Sequence, residues 1–243
     1  MRMLNFAKRN FKELIRDPLS LLFEFVLPIF LLFIFQQINI PGNEYKLENF
    51  TPSIILFGFS FITLFTATLV AKDRDTSLLV RLGVSPMRPV DYILGYVLAI
   101  LPIVIIQNVL FFVMALVLGL SFSITIIYTI LVSIFISIFF ISLGILIGSI
   151  VSEKASGGVG SIIVQLVCFT SGMYFSNELI GKTFQFICKV LPFESCLKII
   201  KGVLNKDWEI ISLRNIFVFS AYALVALVLS MYVFNKKMVD SKK

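Results

Sequence analysis

The sequence predicts an all-α polytopic membrane protein: six transmembrane helices, an N-terminal interfacial amphipathic helix, and short extracellular helices before the last span. Three observations carry that reading. Hydrophobic residues make up 58% of the 243 and charged residues 14%, where a soluble domain carries about 25% charged residues. The apolar residues fall in runs close to or above the roughly 20 needed to cross a bilayer core as helix. The net charge of +7 sits between those runs, where Lys and Arg set orientation; it therefore does not point to a nucleic-acid partner.

The first element, residues 1–18, reads as the interfacial helix. At about 100° per residue, Met3, Leu4, Ala7, Phe11, Leu14 and Ile15 fall within a stripe of roughly 120°. Arg2, Asn5, Arg9, Lys12 and Arg16 occupy the other side. Such a helix is too polar to span and lies in the interface with its basic face toward anionic headgroups. Asp17-Pro18 ends it, because the residue before proline is pushed out of helical geometry. The opening does not read as a cleavable signal. Its polar lead is long, Glu24 interrupts the apolar run, and no small-residue cleavage pattern follows Ile38.

The transmembrane domain, 19–234, holds spans expected at Leu19–Ile38, Pro52–Ala71, Tyr92–Leu118, Ile124–Val151, Ala155–Phe175 and Ile216–Phe234, followed by a basic tail, 235–243. Glu24, near the start of the first span, is expected to snorkel to the interface. Gly144 and Gly148 form a GxxxG step that lets another helix approach closely. With both termini placed in the cytoplasm, about 14 of the 21 Lys and Arg lie on that side. The outer segment 176–215 carries two runs of helical spacing, Ile180, Phe184, Ile187 and Leu191, then Leu197, Ile200 and Leu204. Each is too short to cross and is expected to lie on or dip into the outer leaflet, with Trp208 as an interfacial anchor.

The chemistry of an enzyme is missing from this pattern. There is no histidine, and the three cysteines, Cys168, Cys188 and Cys196, are scattered, which excludes a His/Cys metal site. Cys188 and Cys196 are open to pairing or to remaining thiols. Gly181-Lys182-Thr183 looks like the end of a phosphate-binding loop, but Ser176 stands where that loop needs glycine. No cofactor is expected on this chain.

The stretch 72–91 interrupts the apolar sequence with charge and leucine. Asp75 or Thr76 can cap a short helix, Leu78, Leu79 and Leu82 lie within it, and Gly83 can end it. Ser85 then caps a new helix with Pro86 at its first position. The leucines either fold back on the membrane surface or dock a soluble partner. Docking is the functional reading, since burying one leucine is worth roughly 1.5–3 kcal/mol.

Asp73-Arg74-Asp75-Thr76-Ser77-Leu78-Leu79-Val80-Arg81-Leu82-Gly83-Val84-Ser85-Pro86 resembles the cytoplasmic motif of ABC-2 type permeases. The acidic residues, Leu79, Arg81, Leu82, Ser85 and Pro86 fall in register; Ser77 and Leu78 replace that family's usual Gly and Thr. Gly172-Met173-Tyr174-Phe175, Pro192, and Lys201 where Arg is usual resemble the segment before the last span, and Arg16-Asp17-Pro18 fits the N-terminal run. The resemblance implies the non-catalytic membrane subunit of an ATP-binding cassette (ABC) exporter. It implies two copies of an ABC ATPase, holding the ATP and docked on Asp73 to Pro86 and on the helix bearing Arg9, Phe11, Lys12 and Arg16. It also implies a second permease copy or homologue. The abundance of Phe suits an amphipathic or lipid-like cargo. An ion-coupled secondary transporter working without an ATPase is the alternative.

Overall fold

The computed structural model describes residues 2–38, 40, 42–76, 88–174 and 181–240. All its regular elements are helical among these residues. The first is α1 (Arg2–Ile15). Asp17 follows and caps the next helix, its carboxylate accepting from the Ser20 N–H at 3.2 Å and the Ser20 hydroxyl at 2.5 Å. Pro18 takes the first helical position, where its missing N–H costs nothing. That helix, α2 (Pro18–Gln37), is followed by α3 (Leu47–Asp75). Then come α4 (Pro89–Val117), α5 (Thr125–Ile150), α6 (Glu153–Thr170), α7 (Lys182–Val190), α8 (Pro192–Asn205) and α9 (Leu213–Asp240).

Five of the described helices are long and apolar enough to cross a membrane: α2, α3, α4, α5 and α9. The expected fifth span corresponds to α6, which carries Glu153, Lys154 and Gln165 and is less apolar than the others. It nevertheless runs the height of the bundle. At its start the Glu153 N–H donates to Asp75, the last residue of α3, at 2.8 Å. Just past its end the Tyr174 carbonyl accepts from the Tyr45 hydroxyl, ahead of the first residue of α3, at 2.8 Å.

At the centre stands α3, buried along nearly its whole length against α2, α4, α5, α6 and α8. A helix enclosed on all sides needs its polar groups satisfied internally. The hydroxyls of Thr51, Ser53, Ser60 and Thr66 bond carbonyls of their own helix, and Thr63 reaches the Phe140 carbonyl of α5 at 3.0 Å. Close approach is bought with glycine. A Cβ on Gly144 or Gly148 of α5 would strike the Thr63 or Ala67 carbonyl of α3, and one on Gly160 of α6 would strike Leu64. The GxxxG step thus faces α3. At 29 residues and 1.5 Å each, α3 is about 43 Å long, more than the roughly 30 Å apolar core of a bilayer. It outruns the expected Pro52–Ala71 at both ends, so Lys72-Asp73-Arg74-Asp75 forms a last helical turn instead of opening a loop.

One expectation changes and another narrows. Glu24 does not snorkel: it is 2% exposed, and neither carboxylate oxygen has a partner among the described residues. The cause is a π-helical stretch, Leu22–Val26, within α2. One extra residue in that turn rotates the side chain into a crevice between α2, α3 and α4, lined by Ile62, Phe65, Thr66, Ile100 and Ile103. A polar group buried without a partner costs about 1–3 kcal/mol. Glu24→Leu is therefore expected to raise the melting temperature of the solubilised protein, measured by thermal-shift fluorescence. Secondly, of the two placements expected for α8, lying on the surface or dipping inward, only the second is compatible with its packing. Its Leu197, Ile200 and Leu204 are buried against α3, α5 and α9. The other short helix of segment 176–215, α7, keeps Phe186 and Val190 exposed, and Trp208 is exposed beyond α8.

The start of α1 and the last described turns of α9 reach the same end of the bundle. Phe6 of α1 and Phe234 near the end of α9 pack on the same pair, Tyr92 and Tyr96 of α4.

Candidate functional site

The end of the bundle that carries α1 is where the sequence placed its motif, and the last turn of α3 organises it. Successive helical residues point about 100° apart, so four consecutive charged residues address four directions. Lys72 reaches α1, its ammonium 2.9 Å from Glu13. Asp73 turns inward and is fully buried. It accepts from the Arg9 guanidinium at 2.5 Å and from the Tyr96 hydroxyl of α4 at 2.8 Å. Arg74 donates to the Ser149 and Val151 carbonyls, both at 2.6 Å, at the C-terminal end of α5. Those carbonyls have no helical partner of their own, and a cation there is favoured by the helix dipole. Asp75 accepts from the first N–H of α6, supplying the cap that Ser152, the N-cap residue, does not.

On α1, Arg9 distributes its guanidinium among Asp73, the Asn10 side chain at 2.7 Å and Glu13 at 2.6 Å. A chain of charge therefore runs Lys72–Glu13–Arg9–Asp73–Tyr96 through three helices. Beneath it, Phe6 sits edge-on to Tyr92 and Tyr96, with centroids 5.5 and 5.1 Å away. Gly95 makes room, since a Cβ there would strike the Phe6 ring. The face of α1 that packs is Phe6, Ala7 and Asn10, while Leu4 and Ile15 stay exposed. The stripe read from sequence was thus one edge of a broader apolar arc: its centre packs on α4, and Leu4 and Ile15 remain uncovered.

On the return side, the Arg88 N–H donates to the Asp91 carboxylate at 2.8 Å, and Pro89 opens α4. The described residues on either side of 77–87 are thus fixed points: the pinned end of α3 and the capped start of α4. Leu78, Leu79, Arg81, Leu82, Ser85 and Pro86 lie outside the described residues.

The family model of the ABC-2 type transporter matches residues 3–204, from α1 through α8. The chain belongs to that family. No curated protein matches it. The chain is therefore an ABC transporter permease and a multi-pass membrane protein.

Of the permease's expected docking residues, Asp73, Arg74 and Asp75 are brought together, but as a brace: Asp73 presents no surface, and Arg74 and Asp75 are committed to α5 and α6. Arg9 belongs to the same brace. Phe11 is half-buried, while Lys12 and Arg16 are exposed. The sequence reading missed Phe6, Glu13, Lys72, Gly95 and Tyr96. Only Glu13 left a local signal, four residues after Arg9.

At the far end, Gly172 takes φ +80°, a conformation suited to glycine, directly after α6, and Pro192 is the buried first residue of α8. Cys188 and Cys196 are free, buried thiols. Burial pulls the Lys201 ammonium down to about 8, against the opposing influence of Glu44. The folded protein then holds fewer protons than the unfolded chain between pH 8 and the ordinary lysine value. Stability should rise with pH across that window, and Lys201→Met should remove the rise, as measured by thermal unfolding at pH 7.5 and 9.5.

Proposed function

We propose that this permease is the transmembrane subunit of an ATP-driven exporter whose two ATPase subunits dock from the cytoplasm on segment 77–87 and on α1. The observation that carries the reading is the brace. A tether between two spans needs no such fixing. A lever does, because a push on a loose loop is lost in the loop. Here motion imposed on 77–87 would pass through Arg74 and Asp75 to α5 and α6, and through Asp73 and Lys72 to α1 and α4. If ATP closes the ATPase pair, the difference in contact between its two states can shift the inward/outward balance.

In this arrangement α6 is the fifth of six crossings, so that α9, the sixth, brings the C-terminus back to the cytoplasmic side. The end-to-end run of α6 beside α3 supports that. Its exposed face mixes Gly158, Ser161 and Gln165 with Ile162 and Phe169, small and polar residues among apolar ones, and a second permease copy covering it would fit that mixture. An amphipathic cargo remains the expected substrate class. Purifying the tagged chain from its own membranes tests the reading. ATP hydrolysis should co-purify with it. Flux through the chain alone, driven by an ion gradient and indifferent to ATP, would instead establish the secondary carrier.

A further inference from the structure

A cleft of ≈ 870 Å³ opens between α1, the start of α2 and the last turns of α3. Its rim is basic. Arg9 and Lys72 are already engaged by Asp73 and Glu13, and Asp17 is occupied with capping α2. Lys8, Lys12 and Arg16 have no ion-pair partner among the described residues, and all three are exposed. They repeat at four-residue steps, so they form one row along α1. Like charges at that spacing weaken a helix, so the row is a cost to the fold unless something neutralises it.

The floor is of the opposite character. Leu14, Phe65 and Leu69 line it. Phe65 lies two turns before Lys72, about 10 Å further toward the middle of the bundle. The cleft is therefore charged at the level where α3 ends and apolar below. Its side is the start of α2, where Pro18 and Ser20 line the cleft and the adjacent Leu19 is 67% exposed. On that side the cleft adjoins the exposed apolar face of α2, Leu19, Leu22 and Phe23, the kind of surface that a bilayer covers. A volume of this order takes a ligand of small-molecule size.

We propose that this cleft binds one anionic glycerophospholipid of the same leaflet, its phosphate against Lys8, Lys12 and Arg16 and an acyl chain along Leu14, Phe65 and Leu69. A free anion would leave the apolar floor unused, and a zwitterionic lipid would leave the row of cations uncompensated. The site needs no ATPase, so its test is separate from that of the transport reading.

The probe is dioctanoyl phosphatidylglycerol, titrated into the purified permease and followed by thermal shift and calorimetry. Saturable binding at one site per chain is expected, with dioctanoyl phosphatidylcholine at least about tenfold weaker and dihexanoyl phosphatidylglycerol also about tenfold weaker, since the chain on the floor loses two methylenes at about 0.8 kcal/mol each. Lys8→Gln/Lys12→Gln/Arg16→Gln should weaken binding by about tenfold or more, as for the loss of close charge contacts, while Lys206→Gln at the far end leaves it unchanged. The chain-length comparison uses the native protein and holds even if the triple variant folds poorly. Equal affinity for both headgroups, no dependence on chain length, or displacement by inorganic phosphate alone would overturn the proposal. So would a triple variant that keeps lipid binding but loses its ATPase, which would make the row a protein interface.

Discussion

Asp73→Ala is expected to leave the chain in the membrane and bound to its ATPase while separating hydrolysis from transport. The carboxylate is fully buried and joins three helices, through Arg9 of α1, its own place in α3 and Tyr96 of α4. Without it the Tyr96 hydroxyl, on a fully buried side chain, loses its acceptor, and Arg9 keeps only Glu13 and Asn10. Leaving such a group unpaired costs about 1–3 kcal/mol. Arg9 is 38% exposed at its side chain, and water will soften its own share of the loss. If that cost falls on the braced arrangement alone, the balance between braced and loosened forms moves by roughly 5- to 150-fold. Hydrolysis should continue, transport should fall by a factor in that range, and hydrogen exchange in α1 should accelerate. Asp73→Asn keeps the shape and an acceptor for Tyr96, and should lie between the two. A variant as slow in hydrolysis as in transport would mean that the brace builds the ATPase seat rather than transmitting from it.

The second large effect is expected at the docking surface. Leu79→Asp/Leu82→Asp removes two side chains whose full burial is worth roughly 1.5–3 kcal/mol each and introduces two carboxylates that a buried contact must desolvate. The apolar loss alone amounts to about 3–6 kcal/mol, or a weakening of the complex by roughly 10²- to 10⁴-fold. Co-purification of the ATPase should vanish, while protease protection of the spans is unchanged. Survival of the complex would mean that α1 holds the ATPase without the leucines.

How far the sequence reached depends on which physics each element uses. The apolar runs read correctly as helices because length and hydropathy are properties of the run itself. Gly144 and Gly148 told of close packing because a missing side chain permits only that. The motif at 73–75 was visible, but its role was not. A buried carboxylate and a solvated one have the same letter, and the difference lies in Arg9, 64 residues earlier. The inward turn of Glu24 goes with a π-helical turn, Leu22–Val26, and α2 is apolar nearly all round, so a shift of its register leaves no visible break in the pattern. The α8 helix has the same periodicity whether its apolar side meets lipid or α3 and α5; only the packing of distant helices decides.

The central claim is that segment 77–87 lies in the cytoplasm, where an ATPase can push on it. Cys168, Cys188 and Cys196 are buried and can be replaced to give a cysteine-free background for Leu79→Cys. A membrane-impermeant maleimide should fail to label that variant in intact cells and should label it in inside-out vesicles, with bound ATPase protecting it. Labelling from outside intact cells would place the segment on the far side of the membrane and contradict the account.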